Sequence, residues 1–234
     1  MEKHSARNMN GILIKVRGIS ISLILTFCTL LANANPDHLE PVPPASFLGY
    51  EEAVLTSLIS EKDPRFWMLV FPQQDAQYAI ILNEIVEYDK NYYEVKKRHW
   101  ALEYVRLKEK IPLKKLSTSE INELVCSREV KQYHLVVTED FAKKMEEAWL
   151  DVLKQTRYPD KKVIAWNGTS FVFYYRRDRF GDYYGMTTSP KNGQPAMLVE
   201  LGQKLIALVQ AEEKDREAIQ KQCLEIASKI IQKK

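Results

Sequence analysis

The N-terminal segment determines which residues of this chain must fold and in which compartment they do so. A basic region over residues 1–18 is followed by an uncharged apolar run over residues 19–31 and by the triplet Ala32-Asn33-Ala34. A basic region, a short apolar run and a small-residue cleavage site, in this order, form a secretory signal peptide. The sequence therefore predicts a bacterial exported protein, periplasmic or secreted, which is cleaved after Ala34 and retains about 200 residues.

Two other fates of this segment compete with cleavage. A membrane-spanning helix needs about 20 apolar residues, and the run cannot be extended backwards because Lys15 and Arg17 precede it. An uncleaved N-terminal anchor is the remaining alternative. A lipoprotein is rejected because Phe27 stands before Cys28, where a small side chain is needed. We expect no stable membrane anchor after cleavage.

The charge of the mature chain argues against a nucleic-acid partner. The whole chain has 34 basic and 31 acidic residues, and residues 1–34 hold four of the basic residues and one of the acidic ones, so 30 of each remain. A nucleic-acid-binding domain is expected to show a basic excess or a basic stripe. A mature chain of this length can bury one core, which predicts a single domain over residues 47–234.

Residues 35–46 are predicted to be a linker between the signal peptide and the domain. The segment NPDHLEPVPPAS contains four prolines, which remove backbone donors and favour extended conformations. His38 lies in this segment and is expected to be solvated.

Apolar patterning predicts the secondary structure of the domain. Strands are predicted at residues 65–71, 77–88, 92–104, 132–138, 163–166 and 169–175, the last two joined by a hairpin turn at Asn167-Gly168. Helices are predicted at residues 49–60, at 141–153 and, as a pair divided within 212–217, at 195–234. Strands in hairpin order, with helices near both ends, predict an α+β domain: a mainly antiparallel sheet packed by helices that include a C-terminal helical pair.

Few residues of the mature chain point to chemistry. The motifs of nucleotide-binding, serine-hydrolase, zinc-protease and calcium-binding sites are missing, and no histidine lies at metal-ligand spacing from another histidine or a cysteine. No metal and no cofactor is therefore predicted. His99 and His134 are expected to be structural residues. Glu139 and Asp140 are expected to stabilise the positive end of a helix dipole.

One segment, residues 174–193, combines tyrosines, arginines and glycines in a pattern typical of a binding surface. Tyrosine and arginine dominate interface hot spots, since they offer a large contact area together with directional polar groups. The predicted binding residues are Arg176, Arg177, Arg179, Phe180, Asp182, Tyr183 and Tyr184. The alternative is that the aromatic residues complete the sheet and the arginines form a solvated edge.

Two classes of function remain open at this level. The first is a non-catalytic exported protein that binds a protein partner in the cell envelope, such as an inhibitor, an immunity protein or an assembly subunit. The lack of a catalytic motif favours this class. The alternative is a small envelope hydrolase of cell-wall or glycan material that uses carboxylates such as Asp178 or Asp182, because glycosidases need two facing carboxylates.

The cysteine count predicts one disulfide. After removal of the signal peptide only Cys126 and Cys223 remain, and an even count in an oxidising compartment favours pairing. Cys126 follows a short helix predicted from the capping box Ser117–Glu120, and Cys223 lies on the apolar stripe of the last helix. Two separate buried thiols are the alternative.

Overall fold

The computed structural model describes residues 38–42, 50–59, 64–88, 95–111, 119–120, 123, 129–157, 168–176 and 181–232. The helices and strands within these ranges are α1 (Tyr50–Ile59), β1 (Phe66–Phe71), β2 (Tyr78–Tyr88), β3 (Val95–Leu107), β4 (Val130–Val137), α2 (Glu139–Leu153), β5 (Ser170–Tyr175), β6 (Tyr183–Thr188), α3 (Gly193–Gln210) and α4 (Glu213–Gln232).

The strands form one antiparallel sheet in the order β4-β3-β2-β1-β5-β6. Strands β1 to β4 pair with one another in chain order, and the β5–β6 hairpin joins the free side of β1. The predicted α+β class, with an antiparallel sheet and a C-terminal helical pair, is confirmed.

Strand β1 lies at the centre of the sheet because its run FWMLVF is apolar on both faces. Phe66 and Met68 point into the main core, which is closed by α2, α3 and α4. Trp67 and Leu69 point into a second core, which is closed by α1. We call these two sides of the sheet the three-helix face and the α1 face.

Helix α2 confirms the predicted amphipathic stripe. Its side chains at Phe141, Met145 and Trp149 are buried, and the ring of Trp149 stacks on Phe66 with 4.3 Å between centroids. Thr138 caps the helix by accepting a hydrogen bond from the backbone N–H of Phe141. Glu139 and Asp140 lie in the first turn of α2, as expected from the dipole argument.

The predicted division of the C-terminal segment into two helices is also confirmed. The break falls at residues 211–212, just before most of the charged stretch. Glu213 and Asp215 form the acidic first turn of α4, where negative charge is favoured. The apolar stripe that includes Cys223, Ile226 and Ile230 is buried in the main core.

The hairpin predicted through Asn167-Gly168 is wrong in its pairing. Strand β5 is bonded along its whole length to β1 on one side and to β6 on the other, so no edge is left for a strand at 163–166. Residues 161–167 themselves lie outside the described residues. Gly168 has a φ of 149°, and a Cβ at this position would overlap the Ser189 hydroxyl. Glycine is therefore required here by the approach of the two chain segments.

Residues 38–42 of the predicted linker pack against the domain, and we call them the N-terminal strap. Leu39 is fully buried in the main core, and Glu40 exchanges two backbone hydrogen bonds of 2.9 and 2.8 Å with Met186 on β6. The expectation of a solvated His38 is wrong. His38 is buried, and its Nδ1 accepts a 3.2 Å hydrogen bond from Nε of Arg157. The reason is that the pairing of the strap with β6 packs His38 against the domain.

Candidate binding site

The described part of the predicted binding segment is the β5–β6 hairpin. Tyr174 lies opposite Tyr184, and Tyr175 lies opposite Tyr183, so these tyrosines are strand residues. Asp182 directly precedes β6 and is exposed. The predicted site residues Arg177, Arg179 and Phe180 lie outside the described residues.

The pleat of the hairpin sends its two tyrosine pairs to opposite faces of the sheet. Tyr175 and Tyr183 lie on the three-helix face, where Tyr175 belongs to the main core and Tyr183 packs against it. The guanidinium carbon of Arg65 lies 6.0 Å from the centre of the Tyr175 ring, within cation–π range. The rings of Tyr175 and Tyr183 therefore contribute to the packing of the main core.

On the α1 face, three aromatic rings form a continuous cluster that reaches the surface. Trp67 stacks on Tyr174 at a centroid distance of 5.2 Å, and Tyr174 lies 5.0 Å from Tyr184. Trp67 and Tyr174 are buried, whereas Tyr184 is 39% exposed. We call these three residues the hairpin aromatic stack. Two buried rings thus hold one exposed ring in place.

Polar groups surround the outer end of the stack. Burial raises the pKa of Tyr174, and the negative charge of Asp182, to which the Tyr174 hydroxyl is hydrogen-bonded, raises it further. Burial, followed by the Asp182 charge, likewise raises the pKa of Tyr184. Both phenols therefore remain protonated at neutral pH and can donate hydrogen bonds. Arg176 is fixed nearby by a 2.8 Å backbone hydrogen bond to the carbonyl of Arg65.

A second exposed surface, which sequence reasoning missed, lies at the opposite edge of the sheet. Tyr133 of the edge strand β4 stacks on Tyr104 at 5.9 Å, and Tyr104 meets Tyr78 edge-on at the same distance. Beside Tyr133 is a shallow pocket of about 220 Å³. Its lining residues are Tyr104, Arg106, Leu107, Lys108, Lys131, Tyr133 and Gln210. Periodicity alone could not have shown which predicted strand would be an edge.

A polar cluster lies on the α1 face of β2, β3 and β4. The buried Glu103 carboxylate accepts hydrogen bonds from Asn83 Nδ2 at 3.0 Å and from Gln132 Nε2 at 2.8 Å. His134 Nδ1 lies 3.9 Å from Glu103 Oε1, and its side chain is almost half exposed. Within the described residues, no group of three or more metal-ligating side chains is close enough to hold a metal ion.

The hydrolase alternative depends on where its carboxylates lie. Asp182 is at the β6 edge, while the pocket at Tyr133 is at the β4 edge, so Asp182 does not line that pocket. Asp178 lies outside the described residues.

The predicted disulfide has one described partner. Cys223 is a buried thiol on α4, and burial raises its pKa to about 12. Cys126 lies outside the described residues, so the pairing stays a prediction.

Comparison with known proteins adds no relative to this description. No family model matches the chain, and no significant match is found among curated proteins or solved structures. Within the ranges that the structure describes, no helix has the length and apolarity needed to cross a membrane.

Proposed function

We propose that this chain is an exported, non-catalytic protein that binds a protein partner in the bacterial cell envelope through the β5–β6 hairpin. The single observation that carries the proposal is the hairpin aromatic stack, in which buried Trp67 and Tyr174 support the exposed ring of Tyr184. An aromatic ring that is already held in place loses little conformational entropy when it is buried by a partner.

The composition of the stack's rim favours a protein surface as the partner. Tyr184 offers an apolar ring and a protonated hydroxyl, and Asp182 places a carboxylate beside it. Apolar contact area combined with directional polar groups is the usual chemistry of interface hot spots. Export is proposed from the N-terminal segment, which would deliver the domain to the envelope.

Site-specific photo-crosslinking tests this proposal. A photoreactive amino acid replaces Tyr184 in the full chain, and crosslinking is carried out in cells of the source bacterium. The control replaces Val95, which is 44% exposed at the start of β3 and does not belong to the hairpin. The crosslinked protein is identified by mass spectrometry, and its affinity is then measured with purified components.

We expect one envelope protein to crosslink from position 184 and not from position 95. Its dissociation constant should rise at least about tenfold with Tyr184→Ala, as is usual for an aromatic hot spot, and stay near the wild-type value with Val95→Ala. Equal crosslinking from both positions, or an affinity that Tyr184→Ala leaves unchanged, would contradict the proposal.

A further inference from the structure

Strand β4 is an edge strand that carries three exposed apolar side chains. Val136, Tyr133 and Val130 are 58%, 43% and 38% exposed. Within the described part of the chain, no backbone group pairs with the outer edge of β4. Edge strands of monomeric proteins are usually protected by charges or proline, whereas β4 has Lys131 as its single charged residue.

The hydrogen-bond pattern shows which residues of β4 turn their backbone groups away from β3. The N–H of Leu107 donates to Gln77 on the β2 side of β3, and the N–H of Lys108 donates to Glu129 on the β4 side. Because the backbone N–H and C=O groups of successive residues point to opposite sides of an antiparallel strand, every second residue of β4 turns these groups towards β3. The residues whose N–H and C=O groups point outward are Val130, Gln132, His134 and Val136.

We infer that β4 pairs antiparallel with β4 of a second copy of this chain, about a twofold axis at Tyr133. This register places Val130 opposite Val136 of the second copy and Gln132 opposite His134. All four outward-facing residues then lie in hydrogen-bonded pairs, which gives about eight new backbone hydrogen bonds.

The register follows from the sequence of β4 itself. A shift by one residue would turn every side chain of one copy to the wrong face. A register shifted by two residues would put the axis at His134. Val136 would then lie opposite Gln132, and Val130 would lie opposite Thr138, beyond the strand. Only the axis at Tyr133 pairs all three exposed apolar residues with one another.

Aromatic packing on the three-helix face supports the same axis. The residues on the axis form a non-hydrogen-bonded pair, where opposite Cα atoms are about 4.5 Å apart. The two Tyr133 rings would meet there, each already stacked on its own Tyr104. Leu135 of the second copy would lie opposite Lys131, over the mouth of the pocket that Lys131 and Gln210 line.

Charge complementarity favours an antiparallel second copy as the occupant of this edge. Near the start of β4, Arg106 is ion-paired with Asp75 and Lys108 with Glu129, and Lys131 adds one further positive charge. The end of β4 leads into the first turn of α2, where Glu139 is ion-paired with Lys143 and Asp140 adds one further negative charge. Antiparallel pairing brings the basic end of one copy towards the acidic end of the other, and it keeps the two Lys131 side chains apart.

Two features of the sheet limit the assembly to two copies. Part of β6 is already covered by the strap through the bonds between Glu40 and Met186. A twofold contact uses the same edge of both copies and therefore ends as a dimer. The hairpin aromatic stacks would lie at the two far ends of this dimer, so the inference does not depend on the proposed function.

Sedimentation of the full chain, purified after processing by its host, tests the dimer. In the variant Val130→Lys/Val136→Lys, two lysine pairs face each other across the twofold axis. In the matched variant Val130→Lys/Val136→Glu, the same positions form two opposite-charge pairs. We expect a wild-type dimer, a dissociation constant at least about tenfold higher for the first variant, and recovery to within about threefold for the second.

Cysteine crosslinking gives a second readout of the axis. Tyr133→Cys should form an intermolecular disulfide under mild oxidation, since the Cα separation at the axis suits a disulfide. The control is Val95→Cys, which matches it in exposure at 44% against 43%. A monomeric wild-type protein, equal dissociation constants for the two charge variants, open-ended assembly, or equal crosslinking from both cysteines would each overturn the inference.

Discussion

Gly185 of β6 lies directly over Leu39 of the N-terminal strap, so that a Cβ at position 185 would come within 2.8 Å of Leu39 Cδ1. The same Cβ would lie 3.1 Å from Leu153 Cδ2 at the end of α2. Leu39 thus fills a space between β6 and α2 that exists only because residue 185 has no side chain. A segment with the composition of a linker therefore contributes to the main core.

Leu39→Ala should lower the free energy of unfolding by about 2–4 kcal/mol, the usual cost of removing a fully buried leucine. Urea denaturation of the purified protein measures the change. Val95→Ala serves as the control, because Val95 is 44% exposed and its truncation should change stability little. Equal stability of the Leu39→Ala and wild-type proteins would show that the strap is undocked in solution.

The two adjacent tyrosines of β6 should respond differently to truncation. Tyr183→Ala removes a ring packed against the main core and should lower stability by about 2–3 kcal/mol. Tyr184→Ala removes a ring that is 39% exposed, and the expected loss is about 1 kcal/mol. Thermal and urea denaturation of both variants check the order. A larger loss for Tyr184→Ala would assign the outer ring to the core and weaken the binding proposal.

Elements with local periodicity were predictable from the sequence, and those fixed by distant pairing were not. The stripe of α2 through Met145 and Trp149 repeats at the helical period, so its buried face was visible before the fold was known. The pairing of Phe66 with Tyr175 joins residues more than a hundred positions apart, and no local pattern encodes it. Burial of Leu39 depends in the same way on a distant glycine.

The candidate site was predictable only in its residue types. The concentration of tyrosine and arginine at residues 174–184 led to the prediction of a binding segment, and the described part of that stretch belongs to β5 and β6. Which face each tyrosine occupies depends on where β6 begins, and the sequence pattern predicts no strand at this position. With the register known, alternation alone sends Tyr183 to the core and Tyr184 to the surface. The edge position of β4 required the strand order of the whole sheet.

Ionisation of Tyr174 should make the protein less stable in strongly alkaline solution. Its pKa is raised above the ordinary value of 10.0, so the unfolded chain releases this proton at a lower pH than the folded chain. The stabilisation is complete below pH 10.0 and is lost progressively as the pH rises towards the raised folded value. The melting temperature should therefore decline as the pH rises above 10.0.

The Asp182→Asn variant isolates one cause of this shift. Removing the carboxylate charge should move Tyr174 ionisation to lower pH, while burial keeps its pKa above the ordinary value. Ultraviolet titration of the phenolates gives the comparison, and Tyr174→Phe identifies the step that belongs to this residue. Superimposable titration curves for wild type and Asp182→Asn would rule out the Tyr174–Asp182 interaction.

Processed protein from the host envelope should begin at Asn35, because the small-residue triplet ends at Ala34. Cleavage there leaves the whole strap on the mature chain, with Leu39 available to dock. N-terminal sequencing of the envelope fraction is the measurement. An intact Met1 on membrane-bound material would instead support the uncleaved anchor.

We expect a disulfide between Cys126 and Cys223, because the sequence predicts export into an oxidising compartment. Cys223 is buried among the core residues of α4, so a bridge would fasten this C-terminal helix to the segment that precedes β4. It would close a loop of nearly a hundred residues. For a loop of this length, chain entropy gives about 4–5 kcal/mol of stabilisation, and measured gains are often smaller.

Thiol counting must be done on the unfolded chain. Burial raises the pKa of the Cys223 thiol to about 12, so in the folded protein a free thiol would react slowly and mimic a disulfide. Titration of the denatured, unreduced mature protein should find no reactive thiol, and prior reduction should expose both cysteines. Two reactive thiols before reduction would show that Cys126 and Cys223 are separate. In that case Cys223→Ala should cost no more than a small core truncation, whereas loss of a disulfide would also remove the chain-entropy contribution of the closed loop.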